Sequence, residues 1–361
     1  MGLVSKAGIG WMVALGVAAC GGNGPAATGT PTTPPVTDRP VATAAPSYPP
    51  PVPTAYAVAS RHAQRIGRAA IELVLARDSD RLHARFGKRL ATAVPKRDLS
   101  RLLRKLAQLL ERATLIEEDA IATIYSAQYE SGRKRLTVTV SIDKFSRISG
   151  LQFKRVRKLP ADPKAKHVAK TRFRLPFDGT WWMFWGGDTE RQNYHVVVPD
   201  QRHAYDIVIW RNGATHRGDG TRNEDYWAFG KPILAPAAGE IVIAVDGIKD
   251  NKPKLERNRQ QIAGNHVLLK VADAEYLLLG HFKQGSVRVK TGDRVKLGQV
   301  LGLCGNSGNS TEPHLHIHLQ NSATVFKSVG LPLAFDSYAA DGKHLKSGRP
   351  VQGEFVTSMP R

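Results

Sequence analysis

The sequence predicts an α+β domain followed by a mostly β domain, and three observations support this order. Leucines recur at helical spacing between residues 99 and 110, with Asp98 or Ser100 as the expected N-cap. Segments of strand composition follow at 120–128, 136–142 and 148–156. From residue 172 onward the chain is rich in Gly, Val and Ile, with short turns and without long helical patterns. A chain of 361 residues has room for two domains of ordinary size.

The first 20 residues have the organisation of an exported protein's signal peptide. Lys6 precedes a short apolar run that ends in small residues directly before Cys20. This run is too short to span a bilayer as a stable helix. It resembles a bacterial lipoprotein signal, in which the mature chain begins at a lipidated Cys20, and an ordinary signal peptide cut nearby is the alternative. We therefore expect an exported protein, lipid-anchored in the bacterial cell envelope at the outer membrane or facing the periplasm.

Composition divides the remaining chain into four parts. Residues 21–54 are rich in Pro, Thr, Ala and Gly, which predicts an extended tether that cannot bury a core. Residues 55–160 form the predicted α+β accessory domain, and residues 161–171 read as a basic linker. Residues 172–361 form the predicted β domain.

Positive charge is concentrated in the front half of the chain. The formal net charge is +21, and residues 61–174 hold 28 Lys/Arg against 11 Asp/Glu, a net charge of +17. A basic surface of this kind attracts polyanions, so anionic cell-envelope polymers are expected partners of the accessory domain. Nucleic acid is a poor candidate because the basic half lacks an aromatic platform or a recognised motif, and because export removes the usual target.

The stretch from Gly305 to Gln320 reads GNSGNSTEPHLHIHLQ and places His314, His316 and His318 at every second position. On a strand, side chains at alternate positions share one face, while the apolar residues between them point into a core. This spacing lets one histidine bind a metal while its neighbour faces the bound water or the substrate. The preceding Gly, Asn and Ser residues predict a tight loop leading into the strand.

Two further stretches of the β domain hold candidate ligands, one from Asn193 to Asp206 and one ending at His281. Two histidines and one aspartate satisfy a catalytic zinc site that keeps one position for water. The helical HExxH zinc motif is absent, and Asn309 stands where a serine-hydrolase nucleophile elbow needs its second glycine. The residues alone therefore predict metal-assisted hydrolysis.

At these motifs the chain resembles a known family, the LytM-type, lysostaphin-like peptidases of family M23. The strongest match is the Gly/Asn/Ser loop followed by Pro-His-Leu-His at 313–316, and supporting matches lie at 230–239, 264–267, 279–281 and 289–302. The resemblance extends from about residue 172 to 357. It implies a compact antiparallel β domain with one zinc ion per chain in a groove, and bacterial peptidoglycan as the substrate.

The resemblance also implies roles for individual residues. His316 and Asp206 match two zinc ligands. His281 and His314 match the two catalytic histidines, and which of them is the general base stays open. His318 stands where the family often has Glu, and we interpret it as a structural residue or a partner of a ligand.

The third zinc ligand is implied to be a histidine upstream of Asp206, and two candidates are present. His203 lies three residues before Asp206, which is tight for the family, whereas His195 lies eleven before it, as in the longer-spaced branch. On a continuous strand, His203 and Asp206 would point to opposite faces. We therefore prefer His195.

Two functions follow from the resemblance. The first is a zinc-dependent endopeptidase that hydrolyses the peptide cross-links of peptidoglycan. The second is a non-catalytic relative that binds the cell wall and activates other wall hydrolases, a role taken by members that have lost ligands. The intact set of candidate residues favours the enzyme, while the bond that it cleaves stays open.

Overall fold

The computed structural model describes residues 54–359, apart from 111–112, 132–133, 144, 157–158 and 160. The predicted signal peptide, the lipidation site Cys20 and the predicted tether up to residue 53 lie outside the described residues. In the part of the chain that the structure covers, every helix is too short or too polar to cross a membrane.

Four α-helices open the described chain, and they are α1 (Thr54–Leu75), α2 (Ser79–Ala84), α3 (Lys88–Ala93) and α4 (Lys96–Leu110). The expected N-cap of α4 at Asp98 or Ser100 is wrong, because α4 begins directly after Pro95. The Pro95 carbonyl accepts hydrogen bonds from the backbone N–H groups of Asp98 and Leu99. Asp98 instead lies in the first turn, where its negative charge is favourable to the helix dipole.

Four antiparallel strands follow the helices as a meander, and they are β1 (Thr114–Ile121), β2 (Ile124–Ser131), β3 (Lys134–Ile142) and β4 (Ile148–Val156). The predicted single strand over 120–128 is wrong, because the chain reverses at Ala122, which has a φ of 53°. The segment therefore contains the end of β1 and the start of β2. The helices pack on this sheet around a core that includes Leu103, Tyr125 and Val138.

In the rest of the described chain, the regular secondary structure is almost entirely antiparallel strands joined by loops. They are β5 (Thr180–Trp185), β6 (Tyr205–Val208), β7 (Pro232–Leu234), β8 (Gly239–Val245), β9 (Asn265–Ala272), β10 (Glu275–Phe282), β11 (Arg294–Val295), β12 (Val300–Leu303), β13 (Leu315–Gln320), β14 (Gly330–Leu331), β15 (Phe335–Ala340), β16 (Lys343–Gly348) and β17 (Phe355–Ser358). The main sheet has the order β11-β8-β9-β10-β13-β6-β5-β17-β15-β16, with β14 beside β13. Strands β7 and β12 form a separate pair. The predicted fold class, an α+β part followed by a mostly antiparallel β part, is confirmed.

The core of the main sheet lies under its central strands. Leu315, Ile317 and Leu319 alternate along β13 and are all buried in one apolar cluster. Residues between them point to the opposite face, because successive side chains of a strand alternate. The apolar side of β13 therefore fixes its register, and the polar side carries the histidines.

The helical and β1–β4 part, residues 54–156, is here called the front unit, and residues 172–359 are called the back unit. Tyr56 of α1 packs against Trp182 and Phe355, with ring centroids 6.0 and 5.1 Å apart. Arg191, almost fully buried, forms ion pairs with Glu117 and with Asp119 of β1, the second at 3.0 Å. The front unit thus contacts the loop that leads to His195.

Glu118 makes the stability of the front unit depend on pH. Hydrogen bonding to Arg68, supported by Tyr125, lowers the pKa of Glu118 to about 2 although burial opposes the shift. Because this folded-state pKa lies below the unfolded value of about 4.3, the stabilisation is present above that value. It is lost as the pH falls from about 4.5 toward 2.

The change Glu118→Gln should lower the free energy of unfolding by about 1–2 kcal/mol at pH 7. The difference from wild type should shrink as the pH falls toward 2, where Glu118 is half protonated in the folded state, and it should vanish below that pH. Urea denaturation followed by circular dichroism at several pH values measures this. Glu130→Gln, which removes a more exposed partner of Arg135, is the matched control and should change stability by less than about 0.5 kcal/mol. A constant Glu118→Gln effect from pH 7 to pH 2 would contradict the assignment.

Candidate functional site

Three neighbouring strands of the main sheet carry predicted site residues. Gly280 of β10 lies directly opposite His316 of β13, and His316 lies directly opposite Asp206 of β6. Side chains directly opposite each other in an antiparallel pair have Cβ atoms about 5 Å apart and share a face. Accordingly, His316 Nδ1 lies 2.8 Å from Asp206 Oδ1 in the interior of the protein.

His195 reaches this pair from a short 3-10 helix, Tyr194–Val197, outside the sheet. Asn193 precedes it, and its side-chain N–H group donates to the backbone oxygens of Ala204 at 2.9 Å and Gly187 at 3.2 Å. Its Oδ1 therefore accepts a hydrogen bond from His195 Nδ1, at 2.8 Å. This arrangement puts the proton of a neutral His195 on Nδ1 and leaves Nε2 with a lone pair, 3.6 Å from Asp206 Oδ2.

His195, Asp206 and His316 fit a metal ion. Their ligand atoms all lie within 4.8 Å of one another, and all three residues are buried. His195 Nε2 is buried without a hydrogen-bond partner. A buried polar atom without a hydrogen-bond partner is rare in proteins and indicates a bound group. An imidazole nitrogen beside a carboxylate is a suitable ligand pair for a divalent cation.

The electrostatics of the cluster favour the protonation states that metal binding requires. Burial alone raises the pKa of Asp206, but the imidazoles of His195, His314 and His316 hold it well below its usual range. Burial lowers the pKa of His195 to about 3. At neutral pH the group therefore offers an ionised carboxylate and a neutral imidazole, as metal ligands must be.

His281 and His314 lie beside this cluster with ring centroids 4.7 Å apart. His281 Nδ1 donates to the Ser307 carbonyl at 2.7 Å, and His314 Nδ1 donates to the Glu312 carbonyl at 2.8 Å. Each neutral ring therefore has its Nε2 lone pair free for chemistry, and His314 Nε2 lies 3.6 Å from Asp206 Oδ1. Burial, with the neighbouring His314 and His316, lowers the pKa of His281 well below its usual value.

His281 is held in a costly backbone conformation. Its φ is 62°, in the left-handed region that non-glycine residues rarely adopt, and the pairing of β10 with β9 shifts register between Leu279 and Phe282. A bulge of this kind re-aims a side chain, here toward the cluster. Strain of about 1–3 kcal/mol persists at functional sites when the surrounding contacts determine the conformation.

The predicted loop before His314 packs tightly against the start of β9. Gly308 (φ 79°) and Gly264 (φ 61°) approach so closely that a Cβ on Gly308 would lie 2.4 Å from the Gly264 nitrogen. Ser307 Oγ accepts from the Asn265 N–H at 2.9 Å and donates to the Phe282 carbonyl at 2.7 Å. Because Ser307 also holds His281, this loop positions both predicted catalytic histidines.

His203, the alternative upstream ligand, lies outside the cluster. Its Nε2 is 2.9 Å from Asp162 Oδ2, and its Nδ1 is 3.1 Å from Arg349 Nη2. The strand argument used against His203 has a wrong premise, because β6 begins only at Tyr205. What separates the two histidines is the turn before β6, which directs His203 toward the predicted linker.

His318 is buried behind His316, with its Nδ1 3.0 Å from His316 Nε2. Its Nε2 lies 2.9 Å from Gln320 Oε1. Asn193, Ser307 and Gln320 are site residues that the sequence reasoning missed. Asn193 lies two residues before His195, and Gln320 lies two residues after His318, so sequence proximity to a histidine was a signal for both. No local feature of the sequence indicates the role of Ser307.

Comparisons with known proteins support a peptidase domain. Residues 224–327 match the model of Peptidase family M23. This stretch contains His281, His314 and His316, while His195 and Asp206 lie upstream of it.

Three curated proteins are similar to parts of the chain. The cell division protein DipM of Caulobacter vibrioides is 33% identical over 112 residues, which are 30% of this chain and 16% of DipM. The peptidoglycan DD-endopeptidase ShyC of Vibrio cholerae is 33% identical over 87 residues, 24% of this chain and 18% of ShyC. The glycyl-glycine endopeptidase ALE-1 of Staphylococcus capitis is 39% identical over 65 residues, 18% of each chain. The chain thus matches less than a fifth of the length of each relative.

Among solved structures, the catalytic domain of the prophage-encoded M23 protein EnpA from Enterococcus faecalis is similar over 46% of this chain and 92% of its own. The sequence identity is 22% and the TM-score is 0.25.

Metal binding should stabilise the folded protein, because an ion that binds only the native site adds about 2.7 kcal/mol at a hundredfold excess over its Kd. We expect a divalent metal to raise the melting temperature of the wild type, and EDTA to reverse this. His195→Ala should remove the response, since it deletes one of three clustered ligands.

His203→Ala is the matched control, because it removes a buried histidine of the same segment that contacts Asp162 instead. It should keep the metal-dependent shift even if its own melting temperature falls. Loss of the shift in His203→Ala, or its retention in His195→Ala, would contradict the assignment.

Proposed function

From the M23 peptidase domain that this chain carries, we propose that the protein is a zinc-dependent endopeptidase that hydrolyses the peptide cross-links of bacterial peptidoglycan. One observation carries the proposal: His195, Asp206 and His316 converge on one point, with His281 and His314 beside it. The names of two similar proteins state endopeptidase activity. The two names refer to different scissile bonds, so the bond that this protein cleaves has to be determined by experiment.

In this proposal His195, Asp206 and His316 hold one zinc ion, and His281 and His314 handle protons. The chemistry that zinc would supply, held by these three residues, is polarisation of the scissile carbonyl and activation of water near neutral pH. Because Ser307 and Glu312 carbonyls hold the Nδ1 protons, the two catalytic histidines act through Nε2. One of them accepts the proton of the attacking water at Nε2. The other must carry a second proton, on Nε2, to donate a hydrogen bond to the oxygen that gains negative charge.

The cleft in front of these residues is narrow and mixed in polarity. Its lining includes Tyr194, Gln201, Ile262, Asn309 and Phe326, together with His195, His281, His316 and His318. Burial raises the pKa of Tyr194, so its hydroxyl keeps its proton and remains a hydrogen-bond donor, 3.5 Å from Asp206 Oδ2. An extended peptide with alternating apolar and polar groups suits a cleft of this kind.

The alternative is a non-catalytic protein that binds the wall and activates other hydrolases. The name of one similar protein states a role in cell division without an enzymatic activity. A regulator of this kind has no need for a full set of ligands. The complete constellation of five residues therefore favours the enzyme.

We also propose that the protein acts in the cell envelope, anchored through a lipid on Cys20, with residues 21–54 as the tether. The basic front unit holds anionic wall polymers in this proposal. The exposed face of α4 supports this role, since the side chains of Arg97 and Arg101 are 86% and 71% exposed. We assign residues 55–160 to this accessory role and 172–361 to the peptidase, with 161–171 between them.

Digestion of purified peptidoglycan tests the activity directly. The zinc-loaded protein lacking residues 1–20 should release fragments with new peptide ends, read by mass spectrometry. His314→Ala should bind zinc but lower kcat at least a hundredfold, because it removes one proton-handling group. His316→Ala should lose both zinc and activity.

His344→Ala is the control, because His344 is exposed on β16 at the far end of the sheet and should retain full activity. Absence of cleavage by wild type with zinc demonstrably bound would favour the regulator. Equal cleavage by wild type and His314→Ala would contradict the proposed catalytic role.

Wall binding by the front unit should depend on its positive charge. Neutralising four exposed basic residues of α4 to glutamine should weaken sedimentation with peptidoglycan sacculi at low salt. These residues are Arg97, Arg101, Arg104 and Lys105. The effect should diminish above about 0.5 M salt, where the Debye length falls to a few ångströms.

The control neutralises four exposed lysines of the back unit, which are Lys231, Lys249, Lys290 and Lys296. This variant has the same net charge and should bind like wild type. Equal weakening by both sets would show that net charge, and not α4, controls wall binding.

A further inference from the structure

A row of three buried polar side chains runs along the site face of β13. His316, His318 and Gln320 occupy alternate positions of the strand, so all three point to the same side. His316 Nε2 lies 3.0 Å from His318 Nδ1, and His318 Nε2 lies 2.9 Å from Gln320 Oε1. The row begins at a proposed metal ligand and ends at the backbone of the turn after β13.

The end of the row determines the direction of every hydrogen bond in it. Gln320 Nε2 donates to the Ser322 carbonyl at 2.7 Å, and a carbonyl oxygen can only accept. The amide is thereby oriented with Oε1 toward His318. Because Oε1 is also an acceptor, His318 Nε2 must carry a proton.

The next step fixes the proton of His316. A neutral imidazole carries one proton, so His318 with a proton on Nε2 has an acceptor at Nδ1. His316 Nε2 must then donate to it across the 3.0 Å contact. A doubly protonated His318 would be a cation at 1% exposure whose two partners here are an imidazole and an amide, and burial without an opposite charge disfavours the charged form strongly.

We propose that Gln320 is a positioning residue that, through His318, keeps a proton on Nε2 of His316 and so reserves Nδ1 for the metal. Nδ1 is the nitrogen that lies 2.8 Å from Asp206 Oδ1. The inference rests on the proposed metal centre, and it does not require peptidase activity. It deepens that proposal by assigning a role to a residue outside the ligand set.

Asn193 performs the corresponding task for His195 in one step. There too, an amide whose N–H group is held by backbone carbonyls presents its oxygen to an imidazole. The two proposed imidazole ligands therefore use opposite nitrogens, Nε2 of His195 and Nδ1 of His316. For His316, the oriented amide of Gln320 acts through the intervening ring of His318, which it hydrogen-bonds directly.

The partner of His316 also affects the charge of the centre. A metal-binding histidine commonly donates its second N–H to a carboxylate, a carbonyl or water. Here the partner of His316 is the imidazole of His318. A neutral imidazole at this position adds no negative charge, so Asp206 alone neutralises part of the charge of a divalent ion.

Four variants of the full mature chain test the inference. Gln320→Leu and His318→Leu each break the row of hydrogen bonds, and leucine fills the space of the lost polar side chain with an apolar group of similar size. His318→Glu restores an acceptor for His316 Nε2 without needing Gln320. Gln128→Leu changes a buried glutamine of β2 in the front unit and is the matched control.

Zinc affinity is measured by competition with a chromophoric chelator, and the melting temperature of each metal-free variant is recorded alongside. Gln320→Leu and His318→Leu should bind zinc about 10- to 100-fold more weakly, the range typical for loss of a ligand's hydrogen-bond partner. His318→Glu should bind at least as tightly as wild type, and Gln128→Leu should match it. Wild-type affinity in both leucine variants would overturn the inference, as would equal loss in His318→Glu.

A second measurement needs only the wild type and holds even if a leucine variant fails to fold. Nitrogen-15 NMR of the histidine rings reports which nitrogen carries the proton. We expect zinc-loaded His316 to have its proton on Nε2 and its metal on Nδ1, with His318 protonated on Nε2 alone. The reverse pattern at either ring would overturn the inference. Failure of wild type to bind zinc would instead overturn the proposed metal centre.

Discussion

The Asp206 carboxylate, buried under imidazoles at the centre of the sheet, is the constraint on which the site depends. An ionised carboxylate in the interior is costly unless opposite charge and hydrogen bonds compensate it. Here His316 contacts one oxygen at 2.8 Å, and His195 and His314 lie at 3.6 Å. With the ring protons placed as above, the three imidazole nitrogens that face the carboxylate carry lone pairs, so the arrangement is suited to a bound cation.

Strands position some of the site residues, and loops position the others. The register of β6, β13 and β10 places Asp206 opposite His316 and brings His281 alongside, and the apolar faces of the same strands fix that register. The remaining groups come from irregular backbone, and backbone carbonyls or anchored amides orient them. The rings of His195, His281 and His314 are thus oriented by atoms whose donor or acceptor character cannot change.

Much of the site was predictable because its signals are local. The alternation of histidines from 314 to 318 predicts a strand with one polar face. Strand β13 carries His316 and His318 on that face, whereas His314 lies one residue before the strand begins. The departures have physical reasons: the strand expected over 120–128 is divided by a turn at Ala122 that its composition does not reveal, and Pro95, not Asp98, sets the start of α4. The argument from strand alternation for His195 over His203 does not hold, since β6 begins only at Tyr205 and the turn before it directs His203 to Asp162 and Arg349. Ser307 and Gln320 escaped notice because their roles depend on partners that folding brings together.

The most direct test of this account is X-ray absorption at the zinc edge, combined with anomalous diffraction from crystals of the zinc-loaded protein. We expect one zinc ion per chain, bound by Nε2 of His195, one Asp206 oxygen and Nδ1 of His316, with a further position open to solvent. A zinc ion bound at His203, or bound to His316 through Nε2, would contradict it.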